Sequence, residues 1–262
     1  MPSYQDQLNR TVDIPSSPQR IVSLCPSITE TLVAFDLDER LVGRTRFCIH
    51  PKTAVKQITR VGGTKDVNME RLKELQPDLI IAEKEENIRE QVEEMAQHWP
   101  VYVTDVRDVP SAIEMIRRVG EICAKKAEGN AMAQRAEQAY QQLGHKTQSE
   151  RTAYFIWREP WMLAGKDTYI QDVLQRLGFE NVGLELEGRY PQVTEEQLRA
   201  LAPQRVLLSS EPYPFAEKHI TELQALLPNA KIELVDGELF SWYGVRMISA
   251  AEIMSTKYMS AE

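Results

Sequence analysis

The sequence predicts an α/β protein built as two similar lobes with mostly parallel sheets. Strand-like runs alternate with helical patterns, one helix-then-strand phrase returns 126 residues later, and a long Ala-, Gln- and Glu-rich segment separates the copies. In chain order, Arg20 to Leu24 reads as a strand, Thr29 to Phe35 as a helix, Leu41 to Gly43 as a strand, Met69 to Leu75 as a helix and Leu79 to Ala82 as a buried strand. Helix starts are expected where Ser, Thr or Asn precedes Glu or Gln by three residues: Ser27/Glu30, Asn87/Glu90, Ser111/Glu114, Thr168/Gln171 and Thr194/Gln197. Such starts after strands gather loops at one edge of each sheet, where open α/β sheets bind ligands.

The repeat pairs Asn68 to Pro77, followed by Leu79-Ile80-Ile81, with Thr194 to Pro203, followed by Arg205-Val206-Leu207. Each copy has an N-cap, a carboxylate, leucines three apart and a proline that stops the helix before a buried strand. Between the copies, Lys125 to Leu143, with Gly129 early and Gly144 at its end, reads as one helix of roughly 25 to 30 Å. It is expected to act as a stiff spine joining two lobes; the plainer alternative is a surface helix of a single domain. The expected division is residues 1–110 as an N-terminal α/β lobe, 111–147 as a helix plus the connecting backbone helix, and 148–262 as a C-terminal α/β lobe.

With 31 Lys and Arg against 39 Asp and Glu, the net charge is −8, which argues against a protein that tracks nucleic-acid phosphates or anionic membranes. No apolar run approaches the roughly 20 residues of a membrane helix. Met1 to Leu8 has neither the basic nor the apolar region of a secretory signal, and three cysteines suit a reducing compartment. The expected location is therefore cytoplasmic, or periplasmic or cell-surface if an export signal has been removed.

Cys48-Ile49-His50 is the sharpest local pattern. In an extended segment a thiolate and an imidazole two residues apart face one side and could chelate a soft metal, with Cys25 as a third ligand; a core cysteine beside a loop histidine is the simpler alternative. Cys123 falls on an apolar face with Ile113, Ile116 and Val119 and is expected to pack. Arg44, Arg46, Lys65, Arg158, Arg189 and Arg246 stand at strand ends or loops and would suit a carboxylate- or phosphate-bearing ligand, or ordinary ion pairs. Asn87 is expected to cap a helix, while Glu85 and Glu86 are either solvated or face a ligand. Trp161, Trp242 and Tyr243 offer flat apolar faces; packing is an equal alternative for Trp161. The chain contains no Gly-x-Ser-x-Gly, no phosphate loop and no Gly-x-Gly-x-x-Gly after the first strand. A non-enzymatic protein is expected, with an enzyme using Cys48 and His50 as the lesser alternative.

Arg20 to Glu30, Leu41-Val42-Gly43, Asn68 to Leu72 with Pro77 to Ala82, Ala164 to Asp167, Tyr190 to Thr194, and Phe240 with Ala250-Ala251-Glu252 appear in an order that resembles one family. That family is the helical-backbone (class III) substrate-binding proteins of ABC importers, which bind cobalamin, haem, ferric siderophores and some metal ions; the resemblance runs from about Pro18 to the last helix and is strongest to the cobalamin-binding members. It implies two Rossmann-like lobes joined by one long helix, with the ligand in a cleft between them and no cofactor required. The candidate ligand-binding residues at the strand-end loops are Cys25, Arg46, Cys48, His50, Thr64, Lys65, Glu85, Trp161, Tyr190, Trp242, Tyr243 and Arg246. Glu70 and Glu196 match the carboxylates that pair with a permease. Gly62-Gly63-Thr64-Lys65 departs from the pattern, since cobalamin-binding relatives tend to place a tryptophan there. The expected ligand is a cobalamin, haem or metal chelate, and a cytoplasmic buffer or sensor of the same fold is the alternative role.

Overall fold

A computed structural model describes residues 1–143 and 149–259, so Gly144, the expected end of the long helix, lies outside the described residues. The chain divides into two compact units. The first comprises Met1–Val106, Pro110–Gln138 and Tyr243–Ile248; the second comprises Arg107–Val109, Ala139–Trp242 and the C-terminal residues from Ser249.

The first unit opens with an antiparallel pair, β1 (Ser3–Gln5) and β2 (Thr11–Asp13). There follow β3 (Ile21–Ser23), α1 (Pro26–Ala34), β4 (Leu41–Arg44), α2 (Lys52–Val55), β5 (Thr59–Arg60), α3 (Met69–Leu75), β6 (Leu79–Glu83), α4 (Arg89–Ala96) and β7 (Val101–Thr104). Strands β3 to β7 form one parallel sheet in the order β5-β4-β3-β6-β7. Parallel strands covered on both faces need apolar residues at every position. All five residues of β6 are buried, and Val22, Leu72, Ile80, Ala82, Val92 and Val103 share its core.

Two helices complete this part of the chain, α5 (Val109–Ile122) and α6 (Lys126–Gln141). Their backbones nearly touch at two glycines: a Cβ on Gly120 would stand 2.8 Å from Gly129 Cα, so neither position accepts a side chain. Helix α6 fits the expected long segment, at about 24 Å for 1.5 Å per residue. The chain passes from the first unit to the second inside it, after Gln138. Cys123 is fully buried, as expected of a packing residue.

In the second unit the elements are β8 (Glu150–Trp157), β9 (Met162–Leu163), α7 (Tyr169–Arg176), β10 (Phe179–Asn181), α8 (Glu195–Leu201), β11 (Arg205–Ser209), α9 (Glu217–Leu226), β12 (Lys231–Val235), α10 (Glu238–Ser241) and α11 (Arg246–Tyr258), the first turn of the last belonging to the first unit. The parallel order is β10-β8-β11-β12, with β9 antiparallel on β8. The buried Arg205 joins three strands by pairing with Glu150 at 2.9 Å and with Glu233. The repeat holds to the residue: α3 and α8, and then β6 and β11, begin and end 126 positions apart.

Helix starts follow the capping pattern only in part. Thr194 and Gln197 form the full reciprocal box, and Thr168 and Asn68 each accept a third-position amide. Ser27 does not start α1, because Pro26, preset for the first helical position, moves the N-cap back to Cys25. Ile88 rather than Asn87 caps α4, and Ser111 lies inside α5.

Candidate functional site at the strand ends

Ligands of open parallel sheets sit outside the strand carboxyl ends, where the order of strand addition reverses. In the first unit the chain moves outward from β3 through β4 to β5 and then lays β6 on the other side of β3, so the reversal lies between β3 and β6. In the second it lies between β8 and β11.

At the first of these ends Cys25 leaves β3 and caps α1, its thiol 3.2 Å from Ser27 Oγ and 3.6 Å from Tyr243 Oη. Burial, with Glu86 and Glu83 adding to it, pushes the Cys25 thiol far up, and burial does the same to the Tyr243 phenol. Beside them Glu83 ends β6 only 2% exposed. Its Oε2 accepts the backbone N–H groups of Glu85 at 2.7 Å and Glu86 at 2.9 Å, while its buried Oε1 has no hydrogen-bond partner among the described residues. Burial outweighs those two bonds and raises the carboxyl to about 7. Asn87 ties this corner together: Oδ1 accepts the Glu83 N–H at 2.8 Å, and Nδ2 donates to Thr64 O at 2.9 Å and Leu24 O at 3.3 Å. Lys65 Nζ donates to Glu85 O. Cys25, Thr64, Lys65, Glu85 and Tyr243 are thus gathered at one corner, around Glu83 and Asn87.

The loop after β4 carries Arg46, Cys48 and His50. Arg46 pairs with Asp66 at 2.8 Å, and its guanidinium lies 4.9 Å from the Phe47 ring centroid. Cys48 is buried with its thiol 3.1 Å from Thr45 Oγ1, and burial raises its pKa, the reverse of what a thiolate ligand needs. His50 is half-buried, and among the described residues no three His, Cys, Asp or Glu side chains gather as a metal cluster. Arg246 makes a bidentate pair with Glu30, at 2.8 and 2.9 Å, which also explains why Glu30 is not available for capping.

In the second unit Trp161 is a core residue rather than a strand-end wall: it stacks on Phe215 at 6.2 Å and meets Phe155 edge-on. Arg158, 4.2 Å above it, pairs with Glu222. Trp242 is nearly buried, and its indole N–H donates to Glu211 Oε1 at 2.7 Å. Tyr190 remains exposed. Trp157, which sequence inspection did not single out, ends β8 at 40% exposure with its ring 5.6 Å from Tyr213. Among the described residues, the large apolar side chains more than a third exposed are Met1, Phe47, Ile49, Ile88, Trp157, Leu184, Tyr190 and Ile253. All but Met1 and Ile253 fall at or after the carboxyl end of a parallel strand. The detectable signal was position: an aromatic closing a long apolar strand.

Glu70 and Glu196 occupy the second position of the two repeat helices, both exposed. Glu70 pairs with Lys73 at 2.8 Å.

Two parallel-sheet units of repeated construction, each with apolar side chains gathered at its strand ends, have the build of a binding protein. The chain belongs to the periplasmic binding protein family, whose sequence profile matches residues 21–229. It is 25% identical over 242 residues to the vitamin B12-binding protein of Pectobacterium carotovorum, covering 90% of this chain and 86% of that protein. Among solved structures it aligns with the periplasmic vitamin B12 binding protein BtuF of Vibrio cholerae at a TM-score of 0.79 and 24% identity, over 94% and 98% of the two chains. It aligns equally, at 0.79 and 19% identity over 92% and 97%, with the periplasmic haem-binding protein RhuT from Roseiflexus sp. RS-1. These alignments establish the two-lobed α/β fold. The two solved structures are named as periplasmic proteins. Among the described residues no helix is long and apolar enough to cross a membrane.

Proposed function

We propose that the protein is a non-enzymatic receptor of an ABC importer that takes a cobalamin-like, tetrapyrrole or metal-chelate ligand at the strand-end loops of its sheets. The observation that carries this is the distribution of exposed apolar side chains: Phe47, Ile49 and Ile88 in one unit and Trp157, Leu184 and Tyr190 in the other all follow parallel-strand ends. Large conjugated ligands are gripped by such faces, with a few polar groups fixing orientation. In the first unit Cys25, Thr64, Lys65, Glu83, Glu85 and Tyr243 are the polar groups. The Cys25 and Cys48 thiols are both pushed upward, away from the thiolate an enzymatic nucleophile requires, which supports binding over catalysis. The relatives named for vitamin B12 and haem favour these ligand classes, and the family favours an exported location.

Glu70 and Glu196 are the proposed permease contacts, one per repeat helix. Favourable placement of a carboxylate in a helix's first turn is worth only about 0.3 to 1 kcal/mol and requires no partner, so charge reversal separates docking from that local role. The test is spectrophotometric titration of purified protein with cyanocobalamin and with haemin. Saturation near one equivalent by either supports the receptor; no spectral change with either, alongside intact folding, rejects this ligand class. Glu70→Lys with Glu196→Lys should abolish uptake in cells while leaving the titration unchanged; unchanged uptake removes the docking role.

A further inference from the structure

From Arg40 to Lys65 the chain carries seven Lys and Arg residues and no Asp or Glu, in a protein whose net charge is −8. Some of these cations are neutralised in the fold, Arg46 by Asp66 among them. Others are not. Helix α2, the end of β4 and the end of β5 enclose a pocket of about 410 Å³ within the first unit, walled by Arg44, Lys52, Lys56 and Arg60. None of the residues lining it is acidic. Among the described residues, no carboxylate lies within ion-pairing distance of any of these four cations.

Arg44 sets the geometry. It is 4% exposed, with Nε donating to Val55 O at 2.7 Å and Nη1 to Thr45 O at 3.0 Å, which fixes the guanidinium and leaves Nη2 without a partner among the described residues. Burial, together with repulsion from Arg60, lowers its pKa, as expected of two cations held close with no anion between them. Such a preset, unneutralised cluster is destabilising by itself and is relieved when an anion arrives. Nε and one N–H of Nη1 are committed to carbonyls, which leaves the second Nη1 N–H and the Nη2 N–H groups for a ligand. Four cations at separate positions suit a doubly charged tetrahedral oxyanion, which spreads its oxygens over several donors, better than a singly charged carboxylate. Ile49, Val55 and Ile58 add an apolar wall, and the volume exceeds that of a bare phosphate.

We propose that this pocket is a binding site for a phosphate-bearing small molecule, distinct from the strand-end corner around Cys25, Glu83 and Asn87, although Ile49 of the strand-end apolar side chains also lines it. The phosphate would be met by Arg44 Nη2 at the base and by Arg60, Lys52 and Lys56 at the mouth, and the organic body would lie on the apolar wall.

The test is isothermal titration with inorganic phosphate, glycerol 3-phosphate and acetate at matched ionic strength. Both phosphates should bind saturably and raise the thermal midpoint, glycerol 3-phosphate more tightly, and both should weaken as sodium chloride is added. Lys56→Gln with Arg60→Gln, both exposed and removable without disturbing the core, should weaken each phosphate about tenfold or more, the equivalent of one lost charge-assisted hydrogen bond. Absence of saturable phosphate binding by the unmodified protein, or equal binding by the double variant, overturns the site. Acetate binding as tightly as phosphate overturns the ligand class. Cyanocobalamin or haemin binding that falls with the same double variant overturns the separation of the two sites.

Discussion

Gln76 and Ala202 stand 126 residues apart and end α3 and α8 in the same way, each a helix C-cap with φ of 43° and each followed by a proline. Neither is glycine, although the left-handed region costs an L-residue about 1 kcal/mol or more. The proline forbids continuation of the helix, and the buried strand two residues later fixes where the chain must go. Gln76→Gly and Ala202→Gly should each stabilise the protein, by about 0.5 to 1 kcal/mol, because the relieved strain exceeds the entropy added to the unfolded chain. Urea unfolding midpoints check this; a lower midpoint for both variants would show that the strain is negligible.

Glu83 makes stability depend on pH. Its carboxyl is raised from 4.5 to about 7 in the folded protein. Between those values the unfolded chain has lost the proton and the folded chain retains it, so stability falls as pH rises from about 4.5 to 7 and is level above. Glu83→Gln keeps an oxygen for the Glu85 and Glu86 N–H groups and removes the titration. Its stability relative to the unmodified protein should therefore be greater at pH 8 than at pH 5, by up to about 3 kcal/mol. Chemical denaturation of both proteins at the two pH values measures the difference; a constant offset would mean that Glu83 ionises normally.

Asn87 makes three hydrogen bonds from a buried position, to Glu83 N, Thr64 O and Leu24 O. Asn87→Ala leaves those backbone groups without their partner and should destabilise by roughly 2 to 4 kcal/mol. Asn87→Asp should not rescue it, since the donors to both carbonyls are still missing and a second carboxylate joins Glu83. Thermal unfolding followed by circular dichroism distinguishes this from a simple helix cap, whose loss would cost about 1 kcal/mol and be recovered by Asp.

The two tryptophans at the end of β8 and just beyond it should separate binding from folding. Trp157→Ala removes an exposed ring and should change stability by less than about 1 kcal/mol while weakening cyanocobalamin or haemin, whichever binds, about tenfold or more. Trp161→Ala opens the core beside Phe155 and Phe215 and should cost about 3 to 5 kcal/mol. Equal loss of affinity with no loss of stability in Trp161→Ala would reverse the two roles.

The fold was legible because its signals are local. The repeat helices carry their N-caps, leucine spacing and stopping prolines within ten residues, and β6 and β11 follow them with the apolar runs Leu79 to Ala82 and Val206 to Leu208. The long helix was legible from composition, though not the close backbone approach of Gly120 and Gly129. The site was less legible because tertiary partners reassigned its residues. Glu30 left the capping pattern for Arg246, and Asn87 left its cap to join three loops. Glu83 falls one residue beyond the predicted strand Leu79 to Ala82, since nothing local distinguishes a carboxylate that ends a buried strand from one that begins the turn after it. Trp157 and Trp161 differ in exposure only because β8 ends between them.

The segment Tyr243–Ile248 belongs to the first unit although nearly all of that unit precedes residue 139. It supplies Tyr243 to Cys25, Arg246 to Glu30 and the Val245 amide to Thr31 Oγ1, and Gly244 passes so close that a Cβ would stand 2.0 Å from that hydroxyl. The amino-terminal sheet is therefore synthesised early and finished late: while the chain emerges from the ribosome, Cys25, Glu30 and Thr31 wait for partners more than two hundred residues behind them. A fragment ending at the close of α6 would contain every strand of its sheet and still lack this closing piece.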